Sequence, residues 1–241
     1  MNRECLPHQP NQDAPPRLFI AEKNCCGKDK KRLSWRNSAT NLTKHLLCCS
    51  LLLLAIVAGG CGPRPPQLQQ LAPMPQEPLC RIALLPFINE SNYAQADLIV
   101  YKIFMSELAN AANFDIAQEG DVRKTYRQLR IYPQQQPSFE QLRILADRLN
   151  AQMLITGTVH EAQETSTGNF NNPSLTISLQ LIDARSGRIL WNTYHTKKGD
   201  QYQKVMHFGM VSTLSGLAQR MSREVISLWL REGMKPCAAS Q

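Results

Sequence analysis

The chain has 241 residues, 27 Lys and Arg against 19 Asp and Glu, and a formal charge of +8. Hydrophobic residues make up 43% and charged residues 19%, and the apolar ones fall into runs of helical or strand period, which excludes an intrinsically disordered chain and leaves room for one packed domain or two. The basic excess is uneven: residues 1–60 hold 9 Lys and Arg and 4 Asp and Glu, net +5, leaving 18 against 15, net +3, for residues 61–241. A surplus that sits mostly in a leader, rather than on a folded face, argues against nucleic acid as a partner.

Lys44 and His45 precede an apolar run from Leu46 to Val57, followed by Ala58, Gly59, Gly60 and Cys61. The run is too short for a membrane span of about 20 residues and ends in small residues that a peptidase cleft accepts, so residues 1–60 read as a secretory leader. The ending resembles the bacterial lipobox, with Ala58 where Leu is commoner. That resemblance implies diacylglycerol on the Cys61 thiol, cleavage just before it and acylation of the new amino group. By the same resemblance to other lipoproteins, a residue other than Asp after the Cys, here Gly62, is compatible with delivery to the outer membrane. Residues 1–32 are proline-bearing and dotted with acids, which is wrong for a signal; a translation start near Leu33 would give the leader an ordinary length.

Residues 61–79 read as the lipidated Cys and a flexible tether. Pro63, Pro65, Pro66, Pro73, Pro75 and Pro78 are spaced so that neither helix nor sheet is expected to propagate, and the extended segment would reach roughly 50 Å from the membrane. Arg81 to Phe87 then reads as a buried strand closed by Pro86. Gln95 to Ala112 reads as a helix with Leu98, Tyr101, Met105, Leu108 and Ala112 inward. Ile99, Val100, Ile103 and Phe104 make that helix apolar beyond its core face, so it is either buried on two sides or covered by a protein partner. A short strand is expected over Phe114 to Ala117, and a helix capped by Asp121 over the next stretch to about Ile131. The Ser138-x-x-Gln141 capping box opens another helix with Phe139, Leu142, Leu145 and Leu149 inward.

Met153 to Val159 reads as a strand and Thr165 to Asn172 as a polar loop. Leu175 to Asp183 alternates cleanly, and Ala184 to Gly187 turns the chain back through Ile189 to Tyr194, with Gly187 supplying a positive φ. A last helix is expected over about Gln203 to Arg231, with Val211, Leu214, Leu217, Met221, Val225 and Leu228 on one side. The expectation is a single α/β domain over residues 80–233, a mixed sheet of about five strands flanked by about four helices, followed by a tail over 234–241.

Three stretches carry a resemblance: Ile82 to Phe87 with Asn89, Ala146 to Gly157, and Leu181-Ile-Asp183 through Gly187 to Leu190-Trp191. Together, behind a lipobox, they resemble a superfamily of envelope proteins that includes the peptidoglycan-synthase activator lipoproteins, the curli secretion-channel lipoprotein and the amino-terminal domain of the Tol system's periplasmic protein. Asn150 stands where the family usually has Gly, and Gln152 where it has Asp. The resemblance implies an accessory protein without chemistry of its own. The residues themselves favour structural roles for Asp183, which can bond amides within its turn, and for Trp191, a core aromatic facing the last helix.

No residue stands out as catalytic, and no cofactor is implied. His160, His195 and His207 form no HExxH and no CxxC accompanies them, so no metal set is expected, and the His160-Glu161 pair reads as a solvated strand end. No Gly-x-Ser-x-Gly elbow is present. Arg123, Arg127 and Arg130 fall on one side of their helix with Lys124 beside them; the strip is either a solvated face or a contact for an acidic partner, anionic lipid or glycan. Cys80 and Cys237 bracket the domain and could be bridged in an oxidising compartment, although Cys237 lies past Pro236 in a tail expected to fray, and the pairing stays open. The reading is a lipid-anchored periplasmic protein of the outer membrane that binds another cell-envelope protein, with an activator of cell-wall synthesis as nearest analogue. A secretion-channel subunit is the alternative. It is disfavoured because Thr158 to Ser174 is too polar and too short for two membrane strands of about 9–11 residues.

Overall fold

The computed structural model describes residues 64–132, 134–167, 170–204 and 208–237; Cys61 and the leader lie outside the described residues. Among the described residues there are seven strands and four α-helices: β1 (Gln67–Gln70), β2 (Arg81–Leu84), β3 (Ile88–Asn89), α1 (Ala96–Ala111), β4 (Asp115–Ile116), α2 (Glu119–Gln128), α3 (Phe139–Leu149), β5 (Met153–Thr167), β6 (Phe170–Asp183), β7 (Ile189–Lys198) and α4 (Leu214–Glu232). The strands form one mixed sheet in the order β1-β7-β6-β5-β2-β4, with β3 also on β5. The fold is the expected α/β domain with a mixed sheet.

The sheet is covered on both faces. Leu175, Ile177, Leu179 and Leu181 point from β6 to one side, where Val100, Phe104 and Leu108 of α1 and Leu217, Met221, Val225 and Trp229 of α4 close the larger core. Ala83, Leu85, Leu154 and Ile182 point to the other side, under Val122 and Tyr126 of α2 and Leu145 and Leu149 of α3. Phe104 and Trp229 meet edge to face at 5.8 Å, and the Trp229 indole N–H donates to Thr193 Oγ1 at 2.7 Å. The helices over the second face cover only part of it. The rest, across β5, β6 and β7, is a polar surface of Thr158, Ser178, Gln180, Asn192, Tyr194 and Thr196.

The tether reading is corrected over most of its length. Between Pro66 and Pro73 no proline interrupts the chain, and Gln67–Gln70 lies antiparallel to β7, pairing Gln67 with Tyr194 and Gln70 with Trp191. Leu68, Ala72 and Met74 pack against the core. An edge strand needs ladder bonds on one side only, so the six-residue gap between these prolines is enough for a four-residue strand. Residues 67–79 therefore form a strap that runs down the β7 edge and under the sheet.

Residues 234–237 also belong to the fold. Met234 is buried, the Leu79 amide donates to Lys235 O at 2.8 Å, and the Cys237 amide donates to Leu79 O at 3.2 Å. Cys80 and Cys237 are joined as a disulfide, with Cα atoms 4.8 Å apart. Gln152 Oε1 accepts from the Cys80 and Arg81 amides at 2.6 and 3.2 Å, so a neutral carbonyl takes the acceptor role open to the family's Asp. Asn150 ends α3 at φ 50, the left-handed region that Gly favours and Asn tolerates best among other residues. Both departures from the family pattern thus keep the local geometry.

Three further expectations change. The α1 core face is rotated: Leu98 is exposed and Met105 half-buried, while Val100 and Phe104 are buried. Gln118, not Asp121, is the N-cap of α2. The last helix begins at Leu214, capped by Thr213 accepting from the Gly216 amide, because Gly199–Tyr202 forms a 3₁₀ turn and Gly209 sits at φ 86. The Ser138–Gln141 capping box is present in both directions. At the β6–β7 turn, Gly187 has φ 66 and its Cα faces the Phe139 ring so closely that a Cβ there would lie 2.3 Å from ring carbon Cε2.

Candidate partner-docking cleft

The opening strand stops at Leu84 because Pro86 cannot donate to the ladder, and pairing with β5 resumes only at Ile88. The intervening Phe87 ring turns inward over Gly157, where a Cβ would meet it at 3.0 Å. Asn89 then holds the turn into α1: its amide side chain donates to Tyr93 O at 2.9 Å, and its Oδ1 accepts from the Ser91 amide at 3.0 Å. These are the residues of the first family stretch, and their effect is to open a cleft of about 420 Å³ between this turn, α1 and α2.

Phe87, Tyr101, Tyr126 and Ile131 form an apolar floor, and Leu98, 38% exposed, stands at the rim. Arg123 and Arg127 line one wall. Across from them Gln134 donates to Asp97 Oδ2 at 2.9 Å and accepts from the Asn89 amide at 2.6 Å, pinning the loop after α2 to the opposite wall. Burial raises the Tyr101 phenol to about 12, with the Glu119 charge adding to it, and burial likewise lifts Tyr126 well above the ordinary phenol range. Both rings are therefore neutral, and the charges lining the cleft are the Arg123 and Arg127 guanidiniums on one wall and the Asp97 carboxylate, which accepts from Gln134, on the other.

Of the basic strip, the structure brings two members together. Arg123 is paired with Glu119 at 2.8 Å, and Glu119 also accepts from Lys102. The Lys102 hydrogen bond, helped by Arg123, holds the Glu119 carboxyl below its ordinary range. Arg127 has no ion-pair partner among the described residues, so its charge is available at the cleft. Arg130 lies past the end of α2, at φ 53, and does not line the cleft.

Sequence reasoning missed two arrangements. His160 is not at a strand end: it is the extra residue of a bulge in β5, with Nδ1 2.7 Å from Glu90 Oε2 and Nε2 2.8 Å from Ser178 Oγ. The order of contacts is that of a hydrolase triad, but Ser178 sits mid-strand on the polar sheet face and does not line the cleft. Bulge and cross-strand register place these three side chains, and neither is readable from spacing. Under α4, buried His195 lies 2.6 Å from Glu224. Burial pushes the Glu224 carboxyl up, but the His195 hydrogen bond and the His195 and Lys197 charges outweigh it and leave it lowered. Among the described residues no group of His, Cys, Asp and Glu could hold a metal.

A family model described as the peptidoglycan-synthase activator LpoB matches residues 66–196. The chain belongs to this family. The match runs from the strap through the cleft and the β5–β6 hairpin and stops in β7. LpoB is described as an activator of a synthase, so the family's role is that of an envelope accessory protein. None of the curated proteins matches. Among solved structures, the chain is similar to the PelC dodecamer from Paraburkholderia phytofirmans, at 19% identity over 67% of this chain and 95% of that one with a TM-score of 0.47. It is also similar to lipoprotein GNA1162 from Neisseria meningitidis (16% identity, 63% and 99% coverage, TM-score 0.45) and to the LpoB C-terminal domain from Salmonella enterica (19% identity, 50% and 84% coverage, TM-score 0.39).

Proposed function

We propose that this LpoB-family chain is an activator of a peptidoglycan synthase, held on the periplasmic face of the outer membrane by acyl chains on Cys61 and working by binding rather than by chemistry of its own. The family match over residues 66–196 carries the reading. The cleft supports it with a surface suited to a protein segment: an aromatic floor to bury an apolar anchor, and Arg127 at the wall for an acidic neighbour. The anchor confines the search to a thin layer and raises the effective concentration of a partner within reach.

Photo-crosslinkers at Leu98 and Tyr132, both exposed and on residues the fold does not need, test the cleft in cells. The expected adduct contains a peptidoglycan synthase, and it is lost in the Arg127→Glu variant. Adducts identical with and without that substitution would remove the cleft from the account. Palmitate labelling that disappears in Cys61→Ser tests the anchor separately. The secretion-channel alternative draws nothing from the family match. The arms that run past the Ser174 pairing, residues 164–167 and 170–173, are four residues each, short of the roughly 9–11 that a membrane strand needs, and they lack apolar alternation.

A further inference from the structure

The strap fixes where the anchored end leaves the domain. Gln67 is level with Tyr194, and Tyr194 with Ser178. From Ser178 the hairpin continues eight residues further to Phe170, about 27 Å at strand spacing, in the direction from which the anchored end enters β1. Beyond Ser174, β6 has no β7 partner, and the two arms of the hairpin pair only with each other. By contrast, Cys61 is six residues before Gln67, a span of at most about 22 Å fully extended. The hairpin outreaches the free chain.

The chemistry of that end suits a head-group layer. The sequence from Thr165 to Ser174 holds no Asp, Glu, Lys or Arg, and Phe170, 47% exposed, stands where the arms close. The loop that follows β7 returns to the same end, where Phe208 is 83% exposed. Lys198 and Lys204 are exposed beside it. Three carboxylates belong to the same end, each held by a neutral donor: Glu161 accepts from Ser174 at 3.5 Å, Glu164 from the Leu214 amide at the start of α4 at 2.9 Å, and Asp200 from Asn172 at 3.0 Å. Aromatic rings at the margin of uncharged polar residues, with charged side chains of both signs set behind them, are the composition that partitions to a bilayer interface.

We propose that the Phe170 end of β6, together with Phe208, rests in the lipid head-group layer, so that the domain sits on the membrane at two points instead of hanging from it. This rests on lipidation of Cys61. The test uses the mature lipoprotein in phosphatidylethanolamine and phosphatidylglycerol vesicles that carry bromine near the glycerol end of the acyl chains. Trp191 and Trp229 are buried, so a new indole reports by itself. Phe170→Trp and Phe208→Trp are expected to be quenched at least threefold more than Phe139→Trp at the opposite end of the sheet. Equal quenching at the three positions, in protein that floats with the vesicles, overturns the proposal while leaving the anchor intact. Wild type that neither takes up palmitate nor floats brings down the anchor reading and this one with it. A Phe170→Trp emission shift on isolated peptidoglycan, absent on vesicles, assigns this end to glycan and also overturns it.

Discussion

The two ends of the sheet are built differently. At the end where β2 and β5 begin, the chain is tied several times over: the Cys80–Cys237 bond, the Leu79 ladder to residues 235–237, the Gln152 carbonyl on two amides and the Asp183 side chain accepting from the Ser186 amide. At the other end, β3 is two residues long, the β5–β6 arms run past their neighbours and the cleft lies open between the first turn and α2. Cross-links gather where the chain enters and leaves, and the surfaces free to meet a membrane or a partner gather away from them. Substitutions at the tied end should therefore register as lost stability, and those at the open end as lost binding.

The largest effect is expected from the disulfide. It closes a loop with a sequence separation of 157, and its removal in Cys237→Ser should cost about 4–5 kcal/mol in the chain-entropy model. Denaturant titration with and without reductant reads this; identical midpoints for the oxidised and reduced wild type would mean that the bond is absent from the mature protein. Next comes Gly187→Ala. A left-handed φ in a residue with a Cβ costs about 1–2 kcal/mol, and the Phe139 ring must also move. At the open end, Arg127→Glu should leave the denaturation midpoint within about 0.5 kcal/mol of wild type while weakening partner binding about tenfold. A midpoint shift without a binding change would place Arg127 with the scaffold.

Acid acts on both ends. Glu107, bound by Arg223 and Gln219, has its carboxyl lowered chiefly by the Arg223 hydrogen bond; Glu119 and Glu224 are lowered as well. Below the ordinary value of 4.5 the unfolded chain takes up protons that the folded chain does not. The stabilisation these groups give is thus complete above that pH and is lost as pH falls through their lower folded-state values. The melting temperature should be flat from pH 6 to 5 and fall below 4.5, and Glu107→Gln should flatten that fall.

How much of this was legible depended on whether an apolar residue marked the phase. The β6 alternation, the Gly187 turn and the Ser138 box were readable because each has a local chemical cause. In α1 the apolar residues run all round, which leaves no phase to read, and Val100 and Phe104 proved to be inside where Leu98 and Met105 were expected. The hairpin arms from His160 to Ser174 are polar on both sides, so ladder bonds make them strands without any period in the sequence. The same holds for Gln67–Gln70, four polar or half-buried residues hidden between prolines. Of the cleft, Phe87 and Asn89 were visible as a motif, and Arg123 and Arg127 as half of a strip; their meeting depended on where Pro86 broke the strand.

The strap joins the anchored side of the chain to the tied end along the β7 edge, and its release should cost little stability. Leu68 is the only side chain of β1 packed on the core, and its neighbours in that strand are exposed. Leu68→Asp should therefore release residues 67–72 at a cost of about 1 kcal/mol or less, seen as fast hydrogen exchange at the Leu71 and Ala72 amides that now donate to Leu190 O. Release would lengthen the free chain, and in vesicles the quenching of Phe170→Trp should fall while flotation persists. Global unfolding in Leu68→Asp would instead make the strap part of the cooperative core, and unchanged quenching after release would mean that the hairpin, not the short leash, holds the domain to the bilayer.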